Sequence, residues 1–150
     1  MSVRDDVADY VLGTALPRID GTGNYGHVVN ANAVRSGPVD LVSGVLFPRV
    51  GAYIAGGQYT FEGVPIGKCR DTIRFVVEVF NNCRLEPDAD SRLLHQDVER
   101  AMLTDSRMGG LVDRILPVSY AYLYADADGT ALNGVSVVFD VVATYSYGNP

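Results

Sequence analysis

The C-terminal third of the chain contains two long stretches of alternating residues, and these constrain the fold most strongly. Residues 111–125 and 132–147 each show the two-residue period of a β-strand, and Asp128-Gly129 between them is typical of a tight hairpin. At roughly 3.3 Å per residue, a strand of about sixteen residues extends about 50 Å, more than the roughly 38 Å diameter of a compact body of this size. The hairpin therefore either curls strongly or projects.

A charged amphipathic segment, residues 88–112, precedes this hairpin and predicts a helix that packs against the sheet. Asp88 and Asp90 lie in its first turn, where negative charge is favourable, and Gly109-Gly110 supplies the backbone freedom to leave the helix. The apolar face recurs at helical spacing and consists of Leu94, Val98, Ala101 and Met102.

The N-terminal half predicts one helix and a series of strands. Ser2 and Asp5 form a variant of the capping box that begins a helix over residues 3–16, which Pro17 ends. Alternation is cleanest over residues 72–80, and residues 45–55 predict a further strand, with residues 58–62 as its extension or hairpin partner. A short strand is expected at residues 27–31, and the turn signals at 32–44 and 63–71 predict loops.

The order of these elements defines the expected fold class. The chain runs helix, strands, helix, hairpin, without the regular alternation that produces a parallel sheet. We therefore predict an α+β fold with a mixed, mostly antiparallel sheet, two helices packed on one face and a long C-terminal β-hairpin. At 150 residues, with 47% hydrophobic and 20% charged residues, residues 1–150 are expected to form a single globular domain.

Charge and cysteine content exclude several classes of function. A net charge of −6 disfavours tight nucleic-acid binding, which depends on Lys and Arg contacts to phosphates. The same charge suits a surface past which DNA moves without adhering. Cys69 and Cys83 are too few for a disulfide framework, and no apolar run is long enough for a signal peptide or membrane span, so a soluble, reducing environment is expected.

Motifs for catalysis or cofactor binding are weak. Residues 21–26 match the G-x-G-x-x-G pattern, but they follow a predicted helix rather than a strand, which indicates a flexible loop. Asp126 and Asp128 resemble calcium ligands, yet a turn explains them fully. His27 and His95 lack neighbours at zinc-ligand spacing, and no nucleophile elbow is present. We expect no catalytic residue, cofactor or metal.

Tyrosine is the residue type whose placement is most informative. Tyr120, Tyr122 and Tyr124 alternate along one predicted strand, and Tyr145 and Tyr147 end the next, so each set shares one face. Two interpretations stand side by side. The rings either complete the core, or they form a protein interface, where tyrosine is enriched.

The segment Ala101-Met-Leu-Thr-Asp105-Ser-Arg-Met108-Gly109-Gly110-Leu111-Val112, followed by a long strand pair, resembles the tail terminator (tail completion) proteins of long-tailed bacteriophages. Residues 47–54 and 72–80 look like the central strands of that family. The resemblance covers residues 45–147, and residues 20–44 have no counterpart in it.

The resemblance implies a non-enzymatic virion protein, assembled in the host cytoplasm, that forms a ring at the head-proximal end of the tail tube. Such a ring, usually a hexamer, ends tube growth and contacts the tube protein and a neck protein, while DNA passes through the lumen without specific binding. Carried over by position, Met108, Gly109 and Gly110 would shape a turn. These turn residues and the hairpin would contribute to contacts between subunits or with the tube, the hairpin through Tyr120, Tyr122, Tyr124, Tyr145 and Tyr147.

Three alternatives remain open at this stage. One is another phage neck or head–tail joining protein. The second is a small enzyme or ligand-binding domain, which predicts a concave pocket with polar groups near His27 or His95. The third is an adaptor domain of unknown partner.

Overall fold

The computed structural model describes residues 2–39, 46–127 and 129–147, and these form a five-stranded sheet with helices on one face. The strand order is β1-β2-β3-β5-β4, in which β1 is parallel to β2 and every other neighbouring pair is antiparallel. This confirms the predicted α+β class and its C-terminal hairpin. The strands are β1 (Val34–Ser36), β2 (Arg49–Thr60), β3 (Lys68–Asn81), β4 (Arg114–Ala127) and β5 (Thr130–Ser146).

The N-terminal helix begins as the sequence predicts. Helix α1 spans Val3–Tyr10, and the Ser2 hydroxyl accepts a hydrogen bond from the Asp5 backbone while the Asp5 carboxylate accepts one from the Ser2 backbone. The chain then continues through a π-helical turn at Val11–Ala15 and a 3₁₀ turn at Leu16–Arg18. The predicted helix over residues 3–16 is therefore confirmed, with a wider turn in its second half.

The segment between α1 and β2 differs from the prediction. Residues 27–31 do not form a strand; Val28 makes a single isolated bridge with Asp20, and a 3₁₀ turn follows at Ala31–Ala33. The reason is a tertiary contact. His27, the first residue of this segment, is bonded through its side chain to a helix rather than lying beside a strand partner. The short strand β1 comes later instead, and the predicted turn at residues 43–44 lies outside the described residues.

Strand β3 is longer than predicted, whereas β2 begins at Arg49, after residues 46–48 of the predicted strand, and continues to Thr60. Residues 58–60 extend β2 past an irregularity between Ile54 and Gly56, so they are an extension and not a separate hairpin strand. The strand β3 begins at Lys68, four residues before the alternation becomes regular, because Arg70 and Asp71 pair with Thr60 and Tyr59 across the sheet.

The second helix, α2, spans Pro87–Leu103 and ends earlier than the glycines suggested. The Thr104 hydroxyl donates to the Arg100 carbonyl, and Asp105 then accepts hydrogen bonds from the backbones of Arg107 and Gly109. These bonds replace helical hydrogen bonds, and a 3₁₀ turn at Met108–Gly110 leads into β4.

Both helices pack on the same face of the sheet, here called the helix face. Phe75 of β3 and Phe139 of β5 are paired and fully buried on it, beneath Leu94 and Val98 of α2. From α1 and the turns after it, the same core receives Val7, Val11, Ala15 and Leu16. Along β5 the buried positions Val135 to Val141 alternate as predicted.

The hairpin lies almost entirely within the sheet. β3 pairs with β5 from Lys68–Ser146 to Asn81–Asn133, and β4 pairs with β5 from Arg114–Val142 to Ala127–Thr130. Because β3 is as long as β4, only the last residues before the turn extend past β3. The second of the two expected alternatives, a projecting hairpin, is therefore wrong.

Candidate assembly interface and a buried histidine network

The tyrosines of β4 lie on the helix face, beside α2. Tyr120 and Tyr122 pair across the strands with Val137 and Val135, whose side chains belong to the core. A bulge between Pro117 and Ser119 sets this arrangement, because it shifts the alternation by one residue and turns the even-numbered positions toward the helices.

His95 of α2 lies among these rings. Its imidazole lies 4.3 Å from the Tyr120 ring between centroids, and its Nδ1 is 3.1 Å from the Tyr122 hydroxyl. The Nε2 atom is 2.7 Å from Glu99 Oε1, close enough for an ion pair when the ring is protonated, although the atoms are not aligned for a hydrogen bond. These contacts fix Tyr122, which is half-buried, against the helix.

Tyr120 and Tyr124 remain open to solvent despite these contacts. The two residues are 58% and 57% exposed, and the Tyr124 hydroxyl donates to Asp88 at 3.0 Å. The β4 tyrosines therefore divide between the two interpretations, since Tyr122 packs against the core while Tyr120 and Tyr124 keep large exposed rings.

Tyr145 of β5 and Tyr147, which follows the strand, lie at the opposite end of the sheet, and Tyr145 contacts α1. The Tyr145 hydroxyl donates to Asp71 at 2.6 Å, and Arg4 pairs with the same carboxylate at 2.9 Å and donates to Tyr145. Burial and the hydrogen bond to Asp71 raise the pKa of Tyr145 well above its ordinary value. Tyr147 is exposed and packs edge-on against Phe61.

The turn residues proposed for subunit contact have unusual backbone conformations. Met108, Gly109 and Gly110 all have positive φ, at 49°, 67° and 96°. Met108 is fully buried in the core, whereas both glycines are exposed. The turn is thus anchored by a methionine side chain and presents bare backbone outward.

A network that sequence reasoning did not identify surrounds His27. Its Nδ1 lies 2.7 Å from Asp97 Oδ2 and its Nε2 lies 2.7 Å from Asp90 Oδ1, both carboxylates being on α2. Asn81 and Asn133 donate to the second oxygen of Asp90, at 3.0 and 2.7 Å. Both ring nitrogens can donate at once only when the imidazole is protonated.

Burial and hydrogen bonding act in opposite directions on Asp90. Burial is the largest single effect and disfavours its charged form, but the hydrogen bonds from Asn133, His27 and Asn81 together outweigh it and lower the pKa of the carboxyl. The network thus holds a charged carboxylate next to the core and ties the loop before β1, strand β3 and strand β5 to α2.

The G-x-G-x-x-G segment allows this network to form. A Cβ at Gly26 would lie 2.5 Å from Leu93 Cδ2, and the Gly26 backbone donates to Asp97 Oδ1 at 3.1 Å. The glycine therefore permits the loop to lie close against α2, so that His27 reaches both carboxylates. Close packing of the loop against α2 therefore explains the last glycine of the G-x-G-x-x-G pattern.

The polar groups around His27 bind one another and stabilise the fold. Both nitrogens of His27 are occupied by carboxylates, and the nearby Ser91 hydroxyl is bonded by Asn133. Within residues 2–39, 46–127 and 129–147, no group of three or more His, Cys, Asp or Glu side chains is arranged to hold a metal ion. Over the same ranges, no helix combines the length and apolarity needed to cross a membrane.

Comparison with known proteins gives a likeness in fold. No family model matches the chain, and no curated protein matches its sequence. Among the solved structures that match is a chain of the "Virion of native gene transfer agent (GTA) particle", with 14% sequence identity and a TM-score of 0.51. The alignment covers 96% of this chain and 92% of that chain. At this identity the match shows a shared fold, over nearly the whole length of both chains.

The comparison therefore concerns the whole architecture rather than one motif. It extends over more of the chain than residues 45–147, on which the sequence resemblance was based. The His27 network and the tyrosines of β4 both lie within this architecture, at opposite sides of α2.

Proposed function

We propose that this protein is a structural component of a phage-like particle that forms a ring at the head-proximal end of the tail tube. The ring ends polymerisation of the tube and joins the tail to the neck. Its partners are further copies of the same chain, the tail tube protein and a neck or connector protein. The genome passes through the lumen without specific binding, and the protein is assembled in the host cytoplasm into the virion.

The observation that carries this proposal is the fold shared, over 96% of the chain, with a chain of a virion of a gene transfer agent particle. A shared fold by itself is compatible with many functions. It is informative here because the sequence resemblance to tail terminator proteins, drawn from residues 101–112, leads independently to the same class of particle.

The physical properties of the chain support a ring. Six bodies of roughly 38 Å in contact leave a central opening about as wide as one body, which is sufficient for duplex DNA. The net charge of −6 disfavours adhesion of phosphates to the wall of such an opening. The exposed rings of Tyr120 and Tyr124 supply amphipathic contact area of the kind enriched at interfaces.

The proposal is tested by disrupting the gene in the element that encodes the particle. We expect filled heads without tails, together with detached tails of excess and variable length, and restoration by the intact gene. Immunogold labelling should place the protein at the head-proximal end of detached tails. Normal particles in its absence would contradict the proposal, and detached tails of normal length would instead favour a neck or head–tail joining protein.

A further inference from the structure

Both edges of the sheet contain a stretch of strand that is unpaired within the described residues. On one side, β4 pairs only with β5, which leaves the outer side of Ser119–Asp126 open. On the other side, β1 covers β2 only at Val50 to Ala52, so Tyr53–Thr60 pairs only with β3. We call these two eight-residue stretches the β4 edge and the β2 edge.

The composition of these edges is unusual for strands that face water. Soluble proteins commonly protect open edges with charges or proline, because unpaired backbone groups recruit other strands. The β2 edge contains neither charge nor proline and is interrupted only by the irregularity between Ile54 and Gly56, and the β4 edge contains only Asp126 at its end. Protection is present on β4 just before this stretch, where Pro117 and the bulge interrupt pairing.

We infer that the β4 edge of one copy pairs with the β2 edge of the next copy, so that the sheets of neighbouring subunits are continuous. This inference rests on the proposed ring and names the contact that closes it. Strand direction is suitable, because β4 and β2 run in opposite directions within the sheet and a neighbour in the same orientation presents an antiparallel partner.

The side chains also match in this arrangement. Aligning the centres of the two edges places Tyr122 opposite Gly57 and Ala121 opposite Gln58. Tyr122 and Gly57 both belong to the helix face, since they are in register with Val135 and Ile73, so the two faces continue across the junction. An aromatic ring opposite an edge glycine compensates for its missing side chain.

The relative position of the two edges suits a closed sheet. The paired residues can be followed from β4 through β5 and β3 to β2, and the centre of the β4 edge then lies level with Arg49 and Val50 of β2. The centre of the β2 edge lies about six paired positions further along β2. This is an offset of roughly 20 Å across the four strands that repeat from one copy to the next, roughly 19 Å in width, which corresponds to a strand tilt of about 46°. The value is close to the tilts of about 35–45° that are typical of closed sheets.

Site-specific crosslinking tests this contact in the full chain. In a Cys83→Ser background, Ala121→Cys and Gln58→Cys are introduced singly and together at these two exposed positions, and a short bis-maleimide is added. The double variant should convert most of the monomer into a ladder of covalent oligomers that stops at a closed ring. Each single variant should remain monomeric on a denaturing gel, and light scattering without crosslinker gives the assembly mass in parallel.

The outcomes separate this contact from the proposed function. Covalent dimers from Ala121→Cys alone would indicate a two-fold β4–β4 pair and overturn the inference. Oligomers by light scattering without a ladder would also overturn it, while leaving a ring formed by another surface. A chain that stays monomeric at high concentration overturns the edge contact, and the gene disruption decides the role in the particle independently.

A charge on the edge gives a second measurement. Ala121→Lys places an ammonium group on the β4 edge and should reduce the assembled fraction at least tenfold, while Gln96→Lys, on the exposed side of α2, should leave it unchanged. Circular dichroism confirms that both variants are folded. Equal assembly by the two variants would overturn the inference.

Discussion

Asp97 on α2 is bonded to His27 at 2.7 Å although the two residues are 70 positions apart in the sequence. The carboxylate side chain of Asp97 is 1% exposed and the imidazole is 8% exposed, so each compensates the other's loss of hydration. The pair therefore determines how the loop before β1 lies on the helix. The same imidazole reaches Asp90, which joins β3 and β5 to this arrangement through Asn81 and Asn133.

Replacing His27 by Ala should destabilise the fold strongly. Within the part of the chain that the structure describes, this leaves the buried carboxylate of Asp97 with the Gly26 backbone N–H as its remaining hydrogen-bond donor. Breaking a buried pair in this way typically costs about 3–5 kcal/mol. Urea unfolding followed by circular dichroism measures the change. Arg92→Ala, which removes an exposed ion pair with Asp88, should cost less than about 1 kcal/mol, and equal losses would contradict the role assigned to His27.

Asp90 should make stability depend on pH in the acid range. Its pKa is lowered in the folded protein relative to the ordinary value of 3.8, so the unfolded state binds more protons as pH falls through this range. Its contribution is fully present above the unfolded pKa and is lost as pH decreases through the folded pKa. Between about pH 5 and about pH 2, the free energy of unfolding of Asp90→Asn should therefore fall less steeply than that of the unchanged protein. Parallel slopes would show that Asp90 is not charged in the folded state.

Tyr145 should make stability depend on pH in the alkaline range, where the free energy of unfolding falls as pH rises. Burial and the bond to Asp71 raise its pKa above the ordinary value of 10.0, so its contribution is complete below that value and is lost as pH rises toward the folded pKa. Tyr145→Phe should cost about 1–2 kcal/mol at neutral pH, because Asp71 loses a donor but keeps Arg4, and should flatten the alkaline decline. Tyr147→Phe, two residues further and exposed, should change neutral stability by less than about 0.5 kcal/mol.

Local patterns predict the elements whose hydrogen-bond partners are close in the sequence or whose buried positions alternate regularly. The capping residues Ser2 and Asp5 placed the start of α1, and the alternation along β5 predicted its buried face. Both depend on neighbouring residues alone. The end of α2 was predicted too late, because the hydrogen bonds of Asp105 to Arg107 and Gly109 close the helix before its glycines.

The arrangement of the candidate site depended on contacts that sequence patterns do not contain. The bulge after Pro117 determines that Tyr122 faces the helices, and no local signal in β4 specified an extra residue there. His27 joins Asp90 and Asp97 across 63 and 70 positions. Gly26 is a cue, but its sequence pattern indicates only a flexible loop and does not specify the close approach to Leu93.

Gly134 should tolerate no side chain, because β5 passes too close to β3 at this position. A Cβ there would lie 2.1 Å from the Val79 carbonyl oxygen, and rigid backbone cannot move aside cheaply. We expect Gly134→Ala to destabilise by about 2 kcal/mol or more, in the range of overpacked cores. Gly13→Ala has no atom within 4 Å of the added methyl group and should be neutral or stabilising by up to about 1 kcal/mol. Thermal unfolding of the two variants provides the comparison.

Tyr120 and Tyr124 should contribute to assembly more than to folding. Each ring is more than half exposed, so Tyr120→Ser combined with Tyr124→Ser should cost the folded monomer about 1 kcal/mol, mainly from the ring contact with His95 and the bond to Asp88. In a subunit contact each ring would be covered, and its loss should weaken association by about tenfold or more. Sedimentation velocity at several concentrations measures this shift, with Val28→Ser as a control because Val28 is 60% exposed and lies beside Asp20 and Gly21 in the loop before β1. If the double variant assembled like the unchanged protein, the exposed tyrosines would not be part of the interface.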